Sequence, residues 1–245
     1  FWRKASNNQI MKNKVALVTG GSQGIGAAVA KSLLDKGLKV AITGRDQAKL
    51  DAIQKVLDPQ MQLPLLCIRA DVRNYEELSS AAALVHQTFG TIDTVVANAG
   101  VGHFISIEDM SHEQWHETID TNLTGVFNTL KACLADLKES KGYFITMASL
   151  AGTNFFEKAS SYNASKFGLV GFSQAVMLDL RKFGIKVTTI MPGSVSTHFN
   201  NNIPSDQDAW KIQPEDLGQM VVDLLSMPAR TLPSKIEVRP SFPGK

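Results

Sequence analysis

Seven short apolar runs, rich in β-branched residues, alternate along this chain with six longer segments in which apolar residues recur at helical spacing. The runs are Val15–Thr19, Lys39–Thr43, Leu63–Ala70, Ile92–Ala97, Gly142–Met147, Ile185–Met191 and Lys235–Val238. The helical segments are Ile25–Lys36, Gln47–Leu57, Tyr75–Phe89, Ser111–Lys138, Ser160–Phe183 and Pro214–Leu225. Strand–helix alternation is the signature of βαβ units, whose strands pair in parallel through right-handed crossovers. Strands that are apolar almost throughout imply a sheet covered by helices on both faces. The pattern therefore predicts an α/β, doubly wound, seven-stranded, mainly parallel sheet. No repeat or Pro/Gly-rich linker divides the chain, so residues 1–245 are read as one domain, with residues 1–11 as a tail outside the fold. The polar, Asn-rich stretch 194–212 follows the sixth run, where an open α/β sheet keeps its ligand crevice, and is read as a substrate lid.

Composition excludes several classes of function. A formal charge of +2 supplies no basic field for nucleic acid. The longest apolar runs are far too short to cross a bilayer. The two cysteines, Cys67 and Cys133, read as small buried hydrophobes of a reducing compartment. Residues 1–10 carry a positive pair but no apolar signal core, so the expected location is cytoplasmic. His112 and His116 are four apart on a helix but lack a third ligand, so no metal site is expected.

The first strand runs directly into Thr19-Gly20-Gly21-Ser22-Gln23-Gly24-Ile25-Gly26, and a helix follows. Glycines permit positive φ and let backbone N–H groups approach a pyrophosphate closely. The helix N-terminus then faces the anion. Val29 stands where the G-x-G-x-x-G fingerprint places its last glycine, so the pattern is T-G-x-x-x-G-x-G. Farther along, Tyr162 and Lys166 are four apart in a helical segment and share a face. A phenol ordinarily titrates near pH ~10 and must be tuned to exchange protons near neutrality, which an adjacent ammonium favours.

Taken in order, Thr19-Gly20 to Gly26, Asp71-Val72, Asn98-Ala99-Gly100, Asn122, Ser149, Tyr162-Asn163-Ala164-Ser165-Lys166 and Pro192-Gly193 resemble the short-chain dehydrogenase/reductase family. The resemblance runs from about Lys12 to Lys245 and implies a Rossmann-type fold. It implies that Tyr162 is the general acid or base, that Lys166 lowers its pKa and bonds the nicotinamide ribose, and that Ser149 orients the carbonyl oxygen. Asn122 would support a water leading from Lys166 to solvent. Gly20, Ser22, Gln23, Gly24, Ile25 and Gly26 would hold the pyrophosphate. Asp71 and Val72 would border the adenine, and Asn98, Ala99 and Gly100 its ribose. Pro192, Gly193, Val195 and Thr197 would line the nicotinamide carboxamide. The family also assembles as homodimers or homotetramers, here through Ser111–Lys138 and Ser160–Phe183.

The end of the second strand bears on the choice of cofactor. An acid there bonds the ribose 2′-hydroxyl, whereas an arginine accommodates a 2′-phosphate. Gly44 stands in the acid's place and Arg45 follows, which favours NADP(H), with NAD(H) as the alternative. Gln23, where many NADP-using relatives are basic, points the other way. Asp46 lies at the spacing of a ribose-binding acid but immediately precedes a helix and is read as its cap. His103, Phe104, Phe155, Phe156 and the 194–212 segment are expected beside the carbonyl, so the substrate is a small, partly apolar carbonyl or alcohol. A catalytically silent NADP(H)-binding sensor or scaffold is the alternative function. A sugar-nucleotide epimerase or dehydratase would need more chain after the last strand.

Overall fold

The computed structural model describes residues 11–242. Seven strands form one sheet: β1 (Val15–Thr19), β2 (Lys39–Gly44), β3 (Leu65–Arg69), β4 (Thr94–Ala97), β5 (Tyr143–Met147), β6 (Lys186–Pro192) and β7 (Lys235–Val238). Their order is β3-β2-β1-β4-β5-β6-β7 and every pairing is parallel. The helices are α1 (Gly24–Asp35), α2 (Gln47–Leu57), α3 (Tyr75–Phe89), α4 (His112–Ile119), α5 (Gly125–Ser140), α6 (Ser160–Leu180) and α7 (Pro214–Ser226).

Strand periodicity divides the apolar side chains between two cores. Ala16, Val18, Val40 and Ile42 face one way and pack with Leu33 of α1, Leu50 of α2 and Leu217 of α7. Val15, Leu17, Val95 and Phe144 face the other way, against Val85 of α3, Leu130 of α5 and Leu169 of α6. This two-sided burial is why the strands read as continuous apolar runs. The strand order reverses between β1 and β4, so the crevice outside their carboxyl ends is the expected ligand site.

Three expectations change. Residues 1–10 lie outside the described residues, but Met11, grouped with the tail, is 4% exposed and belongs to the core. The fourth strand begins at Thr94 rather than Ile92, because the Ile92 N–H donates to the Asp136 carboxylate at 2.9 Å. The segment Ser111–Lys138 is not one helix. It is α4 and α5 joined by a π turn at Asp120–Thr124. The extra residue of that turn seats Gly125 against Val72 and carries Asn122 into full burial. Among the described residues, no helix is long and apolar enough to cross a membrane.

Candidate active site

Loops leaving all seven strands meet around one cavity of about 870 Å³. After β1, Gly20 and Gly24 adopt φ of 65° and 54°, which side-chain-bearing residues rarely do. Gly20, Ser22, Gln23, Gly24 and Ile25 line the cavity. Gln23 precedes α1 without a side-chain cap, so the first-turn N–H groups have no side chain folded over them. Gly26 lies outside the lining and serves packing instead. A methyl there would come within 2.6 Å of Asn98 Nδ2 and closer still to the Gly20 carbonyl. Asn98 in turn donates to the carbonyls of Thr19 and Gly20 at 3.0 and 3.1 Å, tying β4 to the glycine turn. Ala99 and Gly100 line the wall beyond it.

After β2, Gly44, Arg45, Asp46 and Lys49 form one end of the cavity. The Asp46 carboxylate accepts from the Lys49 N–H at 3.2 Å and caps α2, as expected. Arg45 pairs with Glu117 at 3.2 Å, and Glu117 also meets His103 Nε2 at 3.0 Å. The His103 hydrogen bond is the largest influence on the Glu117 carboxyl and, with Arg45, holds it below its ordinary value although burial pushes it up. After β3, Val72 lines the cavity but Asp71 does not. Burial pushes the Asp71 carboxyl up, and hydrogen bonds from the Arg73 side chain and backbone more than offset this, leaving it below the carboxylate range.

At the other end, Ser149, Tyr162 and Lys166 converge. Ser149 follows β5, and its Oγ accepts from the Ala151 N–H at 3.1 Å, which fixes the side chain while leaving its proton to donate. Lys166 Nζ lies 5.6 Å from the Tyr162 ring centre and donates to the Met147 carbonyl at 3.1 Å. Burial brings the Lys166 pKa down to about 8. Burial also raises the Tyr162 phenol, with the Ser149 hydroxyl working in the opposite direction. The expected lowering of Tyr162 by Lys166 is not seen: the Ser149 hydroxyl is what favours the phenolate, and Lys166 donates to the Met147 carbonyl. Asn122 lies behind Lys166: its amide donates to the Val101 carbonyl at 2.8 Å and to Ser165 Oγ at 3.0 Å, while its Oδ1 accepts from the Val101 N–H.

Pro192, Gly193, Val195 and Thr197 line the cavity after β6. The 194–212 segment is tied at its base by a parallel bridge between Val195 and Ile212. It contributes Thr197, 3.4 Å from where a Gly24 side chain would begin, together with Phe199 and Trp210. Of the residues expected beside the carbonyl, Phe104 and Phe156 line the cavity, whereas His103 and Phe155 do not. His103 is held at Glu117, and Phe155 is 84% exposed. Sequence reasoning missed Lys49, Arg239, Pro240 and Phe242. The last three follow β7, whose carboxyl end opens on the same crevice, and that position was a usable signal.

A short chain dehydrogenase family model matches residues 14–208. The chain belongs to that family. It is an oxidoreductase of the short-chain dehydrogenase type. An uncharacterized oxidoreductase of Staphylococcus saprophyticus is 33% identical over 94% of this chain and 98% of its own length. Among solved structures, an alcohol dehydrogenase from the archaeon Thermococcus sibiricus complexed with 5-hydroxy-NADP is 29% identical. It covers 93% of this chain and 97% of its own, with a TM-score of 0.87. A metagenomic short-chain oxidoreductase in complex with NADP is 30% identical, with a TM-score of 0.83 over 96% and 100% of the two chains.

Proposed function

We propose that this short-chain dehydrogenase is an NADP(H)-preferring carbonyl reductase or alcohol dehydrogenase, with Tyr162 as its general acid and base. The observation that carries the reading is the meeting of Ser149, Tyr162 and Lys166 in the cavity that also opens on the glycine turn. The residues present fit a dinucleotide: a glycine cradle, an uncapped helix N-terminus, and cationic side chains of Arg45 and Lys49 at the far end. Two structural neighbours are described with NADP or a derivative of it, which supports the same choice. When bound, the nicotinamide supplies or accepts the hydride.

This chain's own groups then manage the proton and the developing charge. Ser149 Oγ donates to the substrate oxygen and holds it at Tyr162. The Tyr162 hydroxyl gives its proton to that oxygen during reduction and recovers it during oxidation. The phenol is protonated at neutral pH, and the Ser149 hydroxyl, which favours the phenolate, works against the burial that raises its pKa. Lys166 Nζ lies between the phenol and the Met147 carbonyl, in position to bond a ribose hydroxyl and relay the proton. Asn122, with its amide donating to the Val101 carbonyl and Ser165 Oγ and its Oδ1 accepting from the Val101 N–H, holds the backbone behind Lys166 in place for that relay. The 194–212 segment closes the carbonyl side as a lid, and pairs of subunits pack through α5 and α6, where Phe127 and Phe167 are exposed.

The test is carbonyl-dependent oxidation of NADPH, read at the nicotinamide absorbance across ketones, aldehydes and keto acids. Turnover is expected with at least one class, faster with NADPH than with NADH. Tight NADPH binding without turnover of any carbonyl would instead favour a silent binding protein.

A further inference from the structure

Four aromatic rings, three from the segments after β4, β5 and β6 and one from the first turn of α6, meet on the carbonyl side of the cavity. Phe104 stands edge-on to Tyr162 at 5.3 Å between ring centres. Phe156 is 5.8 Å from Phe104, and Phe199 is 5.8 Å from Tyr162 and 6.4 Å from Phe104. The cations that line the cavity around this lobe already have partners: Lys211 with Asp208 at 2.6 Å, Arg239 with Glu237 at 3.0 Å, and Lys166, 5.6 Å from the Tyr162 ring centre, with the Met147 carbonyl at 3.1 Å. Phe199 rests on Gly102. A methyl at Gly102 would lie 2.8 Å from the Phe199 ring and 3.2 Å from Phe104. The Gly102 backbone does not itself require glycine, since its φ is not among the positive ones. Its missing side chain instead makes a flat seat for a ring.

We infer that this lobe selects uncharged carbonyl compounds bearing a flat aromatic ring next to the carbonyl carbon. The inference rests on the proposed carbonyl chemistry and adds to it the class of substrate. A planar ring laid from the cavity against this cluster meets aromatic faces and edges, a contact that a saturated ring of the same size cannot match. A substrate carboxylate would lose its hydration beside apolar rings and find each neighbouring cation already engaged. Phe199 supplies the lid's side of the slot, and Gly102 sets how deeply it sits.

Binding without chemistry separates this inference from the reaction itself. The probes are benzamide, cyclohexanecarboxamide and benzoate, titrated calorimetrically into the full chain loaded with NADP. Benzamide is expected to bind about tenfold more tightly than either of the others. Phe104→Leu and Gly102→Ala should each bring benzamide down to the level of cyclohexanecarboxamide while NADP binding is unchanged, which also shows that the variants fold. Equal binding of benzamide and cyclohexanecarboxamide, or tighter binding of benzoate, would overturn the aromatic slot and leave carbonyl reduction standing. If benzamide is preferred but no carbonyl is reduced, the proposed reaction fails while the slot survives.

Discussion

At the glycine-turn end of the cavity the wall is largely backbone, whereas at the Tyr162 end it is aromatic side chains. Gly20 and Gly24 bring main-chain atoms to the cavity in positive-φ conformations, and Asn98 locks that turn to β4 through two carbonyls. Phe104, Phe156, Tyr162 and Phe199 meet at 5.3–6.4 Å with no hydrogen bond among their rings. Backbone walls tolerate little change, because a clash with main chain has no flexible end to move. Side-chain walls can change specificity while leaving the fold intact. One end is thereby suited to a fixed cofactor and the other to a substrate that varies within the family.

Substitutions that break or sharpen this contrast differ in size. Gly26→Ala, which drives a methyl into the Gly20 carbonyl and Asn98, should weaken NADPH binding about 100-fold and lower Tm. Isothermal titration and thermal melting read both effects, and near-normal binding would show that the turn is not rigid. Arg45→Glu should move the NADPH/NADH preference by about 30-fold toward NADH, since one charge-assisted contact to a phosphate is replaced by repulsion. The carbonyl KM should stay constant, and a change there would couple the two ends. Lys166→Met removes a buried ammonium whose pKa is depressed from 10.5 to about 8. Stability associated with the neutral amine is present above pH 10.5 and is lost as pH falls through about 8. The variant should therefore melt about 3 °C above the wild type at pH 7, with the gap closing above pH 10. A constant gap across pH would assign it to packing. Glu117→Gln releases Arg45 from an exposed pair and should tighten NADPH about threefold, with no effect on NADH.

How much was readable in advance follows the same division. Gly20 to Gly26 are contiguous, and Tyr162 and Lys166 share one helix face, so local spacing carries the information. The sheet was legible because two-sided burial writes itself as apolar runs. The π turn was not, because one inserted residue leaves the apolar period of Ser111–Lys138 looking continuous. The aromatic lobe was readable only in part. Phe155 and Phe156 are neighbours, yet one is 84% exposed and the other lines the cavity. Which of them turns inward depends on the loop that reaches Lys158, at φ 62°, and no periodicity encodes that choice. His103 was assigned to the substrate by position, but the carboxylate of Glu117, fourteen residues on, holds it instead.

The central claim is that the Tyr162 hydroxyl moves the proton while other groups hold the cofactor. Its most direct measurement is Tyr162→Phe, with NADPH affinity and carbonyl-dependent NADPH oxidation determined on the same preparation. Loss of the hydroxyl should lower turnover by about 10²–10⁴-fold with NADPH affinity within about threefold of the wild type. Turnover close to that of the wild type, with a properly folded variant, would contradict the account.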